Sequence, residues 1–168
     1  ILLAGVMSST DSASVFSILR SKNLSMKENL RPLLELESGS NDPMAYMITI
    51  VLIQLLNTPE ISGWMVILQF MQQLLFGAGA GYLLGKFAVK LINKINLDND
   101  ALYSVLMLTI MFFIYGITTQ IGGNGYLAVY LGGLIIGNHK IVHRRSTLKF
   151  FDGLTWLFQI IMFLALGL

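Results

Sequence analysis

Six apolar stretches alternate with short polar or glycine-rich connections along this chain, and each predicts a membrane-crossing helix. Segment A runs from Ile1 to about Leu19 and segment B from about Leu33 to Leu56. Segment C runs from about Trp64 to Ile92, long enough to tilt or protrude. Segment D covers about Ala101 to Gln120. Segment E, about Tyr126 to Gly137, is short, and segment F begins near Phe150 and reaches the last residue. The connections read S-K-N-L-S-M-K-E-N, N-T-P-E-I-S-G, N-K-I-N-L-D-N-D, G-G-N-G and N-H-K-I-V-H-R-R-S-T.

Composition agrees with the pattern. Of 168 residues, 55% are hydrophobic and 12% charged, and the mean hydropathy is +0.70. A soluble domain of this size could not hide so much apolar surface, so the expected class is an all-α polytopic membrane protein. The absence of cysteine excludes disulfides, thiolate chemistry and cysteine-type metal sites. The chain opens on apolar residues with no basic start or cleavage site, and it ends in another apolar run. It is therefore expected to be an internal piece of a longer protein.

The net charge of +2 says little, but its placement orients the segments. Arg20, Lys22, Lys27 and Arg31 lie between A and B. Lys86, Lys90 and Lys94 close segment C, and Lys140, Arg144, Arg145 and Lys149 lie between E and F. These are all eleven basic residues; the B–C and D–E connections hold none. By the positive-inside rule the loops at 20–31, 86–100 and 138–149 are cytoplasmic, which supports six crossings. A set of buried helices in a soluble protein would not sort its charges this way.

Two acids then stand out, Asp11 in segment A and Asp42 in segment B. A carboxylate at bilayer depth costs roughly 3 kcal/mol or more, so such residues usually face a cavity and carry function. Asp42 is eleven residues beyond Arg31 and Asp11 nine before Arg20. Both therefore lie roughly 14–17 Å from the cytoplasmic edge, near the midplane of a core about 30 Å thick. Consecutive segments run in opposite directions, so the two acids can share one site.

Segment A is a poor helix at its centre, where Ser8, Ser9, Thr10, Asp11, Ser12 and Ser14 crowd together. Such side chains compete for backbone hydrogen bonds. A broken helix here would expose carbonyls and half-helix ends at the midplane, as in ion transporters. A continuous helix whose hydroxyls bond back to their own backbone is the alternative. In segment B, Glu37 and Asn41 are four apart, as are Ser38 and Asp42, so each pair shares a helix face. Pro43 has no amide to donate and clashes with the carbonyl of Gly39, which predicts a kink and a freed oxygen. An oxygen-rich pocket around one carboxylate suits an alkali cation or a proton. Glu35 is read as solvated near the cytoplasmic edge. A structural ion pair of Asp42 with a cation elsewhere is the alternative to a functional role.

Other features read more plainly. Gly77, Gly81 and Gly85 form G-x-x-x-G-x-x-x-G, which favours close helix packing, within the chain first and across a dimer second. His139 and His143 are too few to hold a transition metal and belong to a basic loop facing anionic lipid; a pH-sensing role is the alternative. The run Gly122-Gly123-Asn124-Gly125 is a tight external turn, not a phosphate loop. Trp64 suits an interfacial anchor. Nothing supports nucleic-acid binding, because the basic residues belong to membrane loops.

The strings S-S-T-D-S-A-S-V-F-S-I-L-R and L-E-L-E-S-G-S-N-D-P-M-A resemble the cation/proton antiporter family 1, the sodium/hydrogen exchanger domain. They are closest to its bacterial NhaP-type potassium/proton branch, and the resemblance extends over the whole chain. It implies an inverted-repeat antiporter fold with an interrupted helix, of which this chain would hold six transmembrane segments. Residues 1–56 would be part of the ion-binding core, 57–97 a linking helix, and 98–168 part of a dimerisation scaffold. Asp42 would bind the ion and the proton, with oxygens from Ser38, Thr10 and Asp11. Asn41 and Glu37 would form a structural network with an arginine on a helix absent here. Many relatives carry proline after Thr-Asp where this chain has Ser12, so a break in segment A would depend on hydroxyls. The single acid beside Asn41 would fit electroneutral exchange.

The expected function is antiport of a monovalent cation, potassium first and sodium second, against protons. Desolvation favours a neutral carboxyl and a bound cation favours an ionised one, so the two ligands compete for one site. The resemblance implies no enzyme activity, no cofactor beyond the transported ions, a homodimer in the plasma membrane (the bacterial inner membrane), and contacts with lipid and with the rest of a longer chain. An intramembrane aspartyl protease would also place two acids on adjacent helices, but resembles G-x-G-D where this chain reads Gly39-Ser40-Asn41-Asp42. A channel would not need a titrating acid.

Overall fold

The structure is a computed structural model that describes residues 2–9, 30–57 and 62–167, the side chains at 31, 32, 35 and 38 excepted. Every regular element among these residues is a helix: α1 (Leu2–Val6), α2 (Leu30–Asn57), α3 (Gly63–Lys94), α4 (Asp100–Gln120), α5 (Gly125–Asn138) and α6 (Arg144–Gly167).

The expected segments B to E reappear as α2 to α5 with ends moved by three residues or fewer. The larger difference is at α6, which starts at Arg144 rather than near Phe150. The basic residues expected in loops consequently sit on helix ends: Lys86, Lys90 and Lys94 on α3, and Arg144, Arg145 and Lys149 on α6. Lysine and arginine are good helix formers whose long stems carry the charge outward, so a charged stretch need not end a helix. The cytoplasmic loops drawn at 86–100 and 138–149 are shorter than expected for this reason.

Among the described residues α3, α4 and α6 are long and apolar enough to cross a membrane. The 14-residue α5 is apolar but spans only about 21 Å. Helix α2 has the length, about 42 Å over 28 residues, but Ser40, Asn41, Asp42 and Pro43 dilute its apolar character. Of segment A, only Leu2–Val6 is described as helix, followed by a turn at Met7 and Ser8.

One packed core joins α3, α4 and α5. It contains Ala88, Val89 and Ile92 of α3, Tyr103, Ile110 and Ile114 of α4, and Ala128 and Ile136 of α5. The glycine stripe on α3 explains how α5 fits so closely. A Cβ on Gly81 would lie 2.7 Å from the Ala128 carbonyl oxygen, and one on Gly85 would lie 2.9 Å from the Gly132 Cα. The intrachain reading of this stripe is thus the observed one. Small residues let the backbones meet, where larger ones would hold them apart.

Hydrogen bonds lock the two ends of this core. The Tyr103 hydroxyl donates to the Ile95 carbonyl at 2.9 Å and accepts from the Leu97 amide at 3.2 Å, fastening the α3–α4 loop. Asn93 of α3 donates to the Lys140 carbonyl at 3.0 Å and accepts from the Val142 amide at 3.2 Å. His143 meets Asp100 at 2.9 Å. The connections after α3 and after α5 therefore share one end of the molecule, as the charge alternation requires. At the other end the Asn124 amide donates to the Gln73 carbonyl at 3.0 Å, while the Asn124 side chain caps α5 by accepting from Leu127 N at 3.0 Å. Gly122 has φ 78°, which glycine adopts without strain. Gln73 lies ten residues inside α3, so the first turns of α3 overhang this turn.

Candidate ion-binding site

Helix α1 lies antiparallel against α2. A Cβ on Gly5 would lie 3.3 Å from the Leu52 side chain and 3.5 Å from that of Ile48. The helix stops at Val6, where the Ser8 hydroxyl donates to the Gly5 carbonyl at 2.7 Å. That bond occupies a carbonyl the helix would otherwise use, the competition expected of this serine-rich stretch. Ser9 follows without helical structure, and its hydroxyl donates to Oδ1 of Asp42.

The end of α1 and the polar turn of α2 do meet at one level. Ser9 stands two residues before Asp11. Thr10 and Asp11 themselves lie outside the described residues. Ser38 occupies α2 one turn before Asp42, and its side chain is likewise outside them. The same-face pair Glu37 and Asn41 is joined, Asn41 Nδ2 donating to Glu37 Oε1 at 3.1 Å. Ser40 bonds back to the Glu37 carbonyl at 2.9 Å.

Helix α2 runs on through Pro43 without a break. Proline still offers no amide to the Gly39 carbonyl, so that oxygen lacks its ordinary helical donor. The ring of Tyr130 lies against Gly39, where an added Cβ would fall 2.5 Å from the ring. The Tyr130 hydroxyl reaches the Leu36 carbonyl at 3.4 Å. A glycine one turn before Asp42 thus lets an α5 aromatic ring close on the α2 backbone.

Asp42 opens onto a groove of about 840 Å³ between α2, α4 and α5, lined in part by Pro43, Tyr46, Tyr115, Tyr126 and Tyr130. Reasoning from the sequence took Ser9 only as part of the hydroxyl-rich stretch of segment A, and passed over these tyrosines. The available signal was spacing: Tyr46 follows Asp42 by four residues, and Tyr126 and Tyr130 are four apart on α5. Among the described residues no three metal-ligating side chains converge. His143 faces Asp100 and stacks on Tyr103 at 4.7 Å, whereas His139 Nδ1 meets the Ile135 carbonyl at 2.6 Å.

Chemically, among the described residues, this is one carboxylate with a hydroxyl donor, on a groove wall otherwise apolar and aromatic. Such a group can hold a proton or a hard monovalent cation in turn.

The sodium/hydrogen exchanger transmembrane family matches residues 1–168. The K(+)/H(+) antiporter NhaP of Alkalimonas amylolytica is 42% identical over 168 residues, covering 100% of this chain and 29% of its own length. The K(+)/H(+) antiporter NhaP2 of Shewanella oneidensis is 41% identical over 174 residues, covering 100% of this chain and 29% of its own. The probable Na(+)/H(+) antiporter 2 of Methanocaldococcus jannaschii is 30% identical over 178 residues, covering 99% of this chain and 41% of its own. The chain thus spans less than half the length of these relatives. By their names they are transporters rather than enzymes. No solved structure matches the chain.

Proposed function

We propose, on the premise that this chain belongs to the sodium/hydrogen exchanger family, that it carries the exchange carboxylate of a monovalent cation/proton antiporter, with potassium as the cation. The observation that carries this reading is Asp42: an acid within the long helix α2, hydrogen-bonded by Ser9 just beyond α1 and open to a groove. The two relatives at 41–42% identity named for potassium support that cation over sodium, the ion named for the relative at 30%.

In this mechanism the ionised Asp42 takes the cation and the protonated Asp42 releases it. One site with two mutually exclusive ligands exchanges them when it faces each side of the membrane in turn. Ser9 orients the carboxylate by donating to Oδ1. Thr10, Asp11 and Ser38 complete the oxygen shell. The Glu37–Asn41 pair fixes the polar face of α2 beside the acid.

The wider architecture belongs to the same proposal. The chain contributes six crossings to an inverted-repeat fold with segment A as the interrupted helix. Residues 1–56 are part of the ion-binding core, 57–97 the linking helix and 98–168 part of the dimer scaffold. The protein is a homodimer in the plasma membrane, in contact with its lipid, with basic helix ends toward the cytoplasm.

The test is proton flux in vesicles holding the full-length protein, driven by potassium or sodium gradients, in wild type and Asp42→Asn. Loss of both fluxes in the variant is expected. Exchange that survives the substitution would overturn the assignment of Asp42.

A further inference from the structure

Among the described residues, the polar side chains lining the Asp42 groove are Asp42 itself and four tyrosines: Tyr46, Tyr115, Tyr126 and Tyr130. The rest of the wall is glycine, proline, methionine, phenylalanine and valine. Tyr126 is the centre of the group. Its ring centroid lies 4.7 Å from that of Tyr46 at an interplanar angle of 61°, and 5.2 Å from that of Tyr115 at 74°. Both are edge-to-face contacts in the favourable range. They tie α2, α4 and α5 together around the groove. The rings are not sealed in by this packing, since Tyr46 is 44% and Tyr126 48% exposed.

A cation crossing this groove toward Asp42 would give up hydration water and meet phenol oxygens and aromatic faces instead. These are weak-field partners, attractive through the ring quadrupole and the oxygen lone pairs. The exchange is least unfavourable for the monovalent cation that holds its water least tightly. Field strength and number of coordinating groups are accepted sources of discrimination between potassium and sodium.

We infer that the tyrosine cluster centred on Tyr126 is a specificity element, favouring potassium over sodium on the path to Asp42. This deepens the reading of Asp42 as the exchange carboxylate and rests on it. The cluster acts before the carboxylate does: it changes which cation arrives dehydrated, and leaves the competition between cation and proton to Asp42. Packing alone would also account for edge-to-face rings, but packing predicts no difference between the two cations.

The experiment uses the full-length protein in vesicles, with proton flux measured against graded potassium chloride and, separately, sodium chloride. The readout is the ratio of the two half-saturating concentrations. Tyr126→Leu removes the ring, and the potassium preference should fall ~2- to 5-fold, the size of one exposed cation–π contact. Tyr126→Phe keeps the ring and should retain most of the preference. An active Tyr126→Leu with an unchanged ratio would overturn the inference. So would equal loss of exchange for both cations, which would make the cluster a structural brace. Neither result would touch the role of Asp42, which stands or falls on Asp42→Asn alone.

Discussion

Replacing Gly81 by alanine tests the close approach of α3 and α5. The added methyl would sit 2.7 Å from the Ala128 carbonyl oxygen, 2.9 Å from its Cα and 3.1 Å from the Leu131 Cβ. Two of these atoms are backbone, so no side-chain rotation relieves the contact. The nearest approach is about 0.7 Å short of ordinary van der Waals contact, and the helices must part or shift. Overpacking of this kind costs about 1–3 kcal/mol. Alanine is also a better helix former than glycine by up to ~1 kcal/mol, which offsets part of that cost. Gly79, two residues away on the same helix, supplies the control, because a Cβ there meets nothing within 4 Å. Helix propensity cancels between the two variants, so their difference isolates the clash. Gly81→Ala should therefore unfold more readily than Gly79→Ala by ~1–3 kcal/mol. Thermal midpoints of the purified full-length protein in detergent, followed by loss of the monodisperse size-exclusion peak, measure this. Identical midpoints for the two variants would refute the packing of α5 on the glycine stripe.

Three further outcomes are expected. Ser9→Ala removes the hydroxyl bonded to Asp42; a hydrogen bond to a charged group contributes ~1.5–3 kcal/mol, so half-saturation should require at least ~10-fold more cation. Unchanged half-saturation would exclude Ser9 from the site. Gly39→Ala would press a methyl into the Tyr130 ring at 2.5 Å and should slow exchange, while Gly39→Ala with Tyr130→Leu should restore it; a double variant as slow as the single would show that the ring contact is not the cause. In a cysteine-free background, Lys140→Cys should react with a membrane-impermeant maleimide from the cytoplasmic side and Ile121→Cys from the opposite side. Labelling of both from one side would refute the orientation drawn from the basic residues.

Much of the fold was legible because its signals are local. Runs of apolar residues place α2 to α5 within three residues of their ends, since a bilayer leaves a chain little choice but helices. The start of α6 was misplaced because the pattern marks apolarity, while helix continues through Arg144, Arg145 and Lys149. Charge alternation correctly put Asn93, Asp100 and the 139–143 connection at one end, where hydrogen bonds and the His143–Asp100 pair now join them. The four-residue spacing put Glu37 and Asn41 on one face of α2, where a hydrogen bond joins them.

The candidate site was legible in its acid and less so in its surroundings. Asp42 announces itself by the cost of its charge, a property of one residue in one environment. The four tyrosines do not, because tyrosine is tolerated in apolar helices, and Ser9 showed only as one of several hydroxyls that weaken segment A. Which of them face Asp42 depends on how α1, α4 and α5 rotate about their axes and how closely they approach. Sequence alone placed helices α2 to α5 and set the Asp42 carboxylate apart from its apolar surroundings, both of which follow from transfer energies along the chain. Only the tertiary structure decided that Gly81 and Gly85 admit the α5 backbone, that Gly39 admits the ring of Tyr130, and that Tyr126 stands between Tyr46 and Tyr115. Those are steric facts between residues far apart in sequence, and they exist only once the helices have packed.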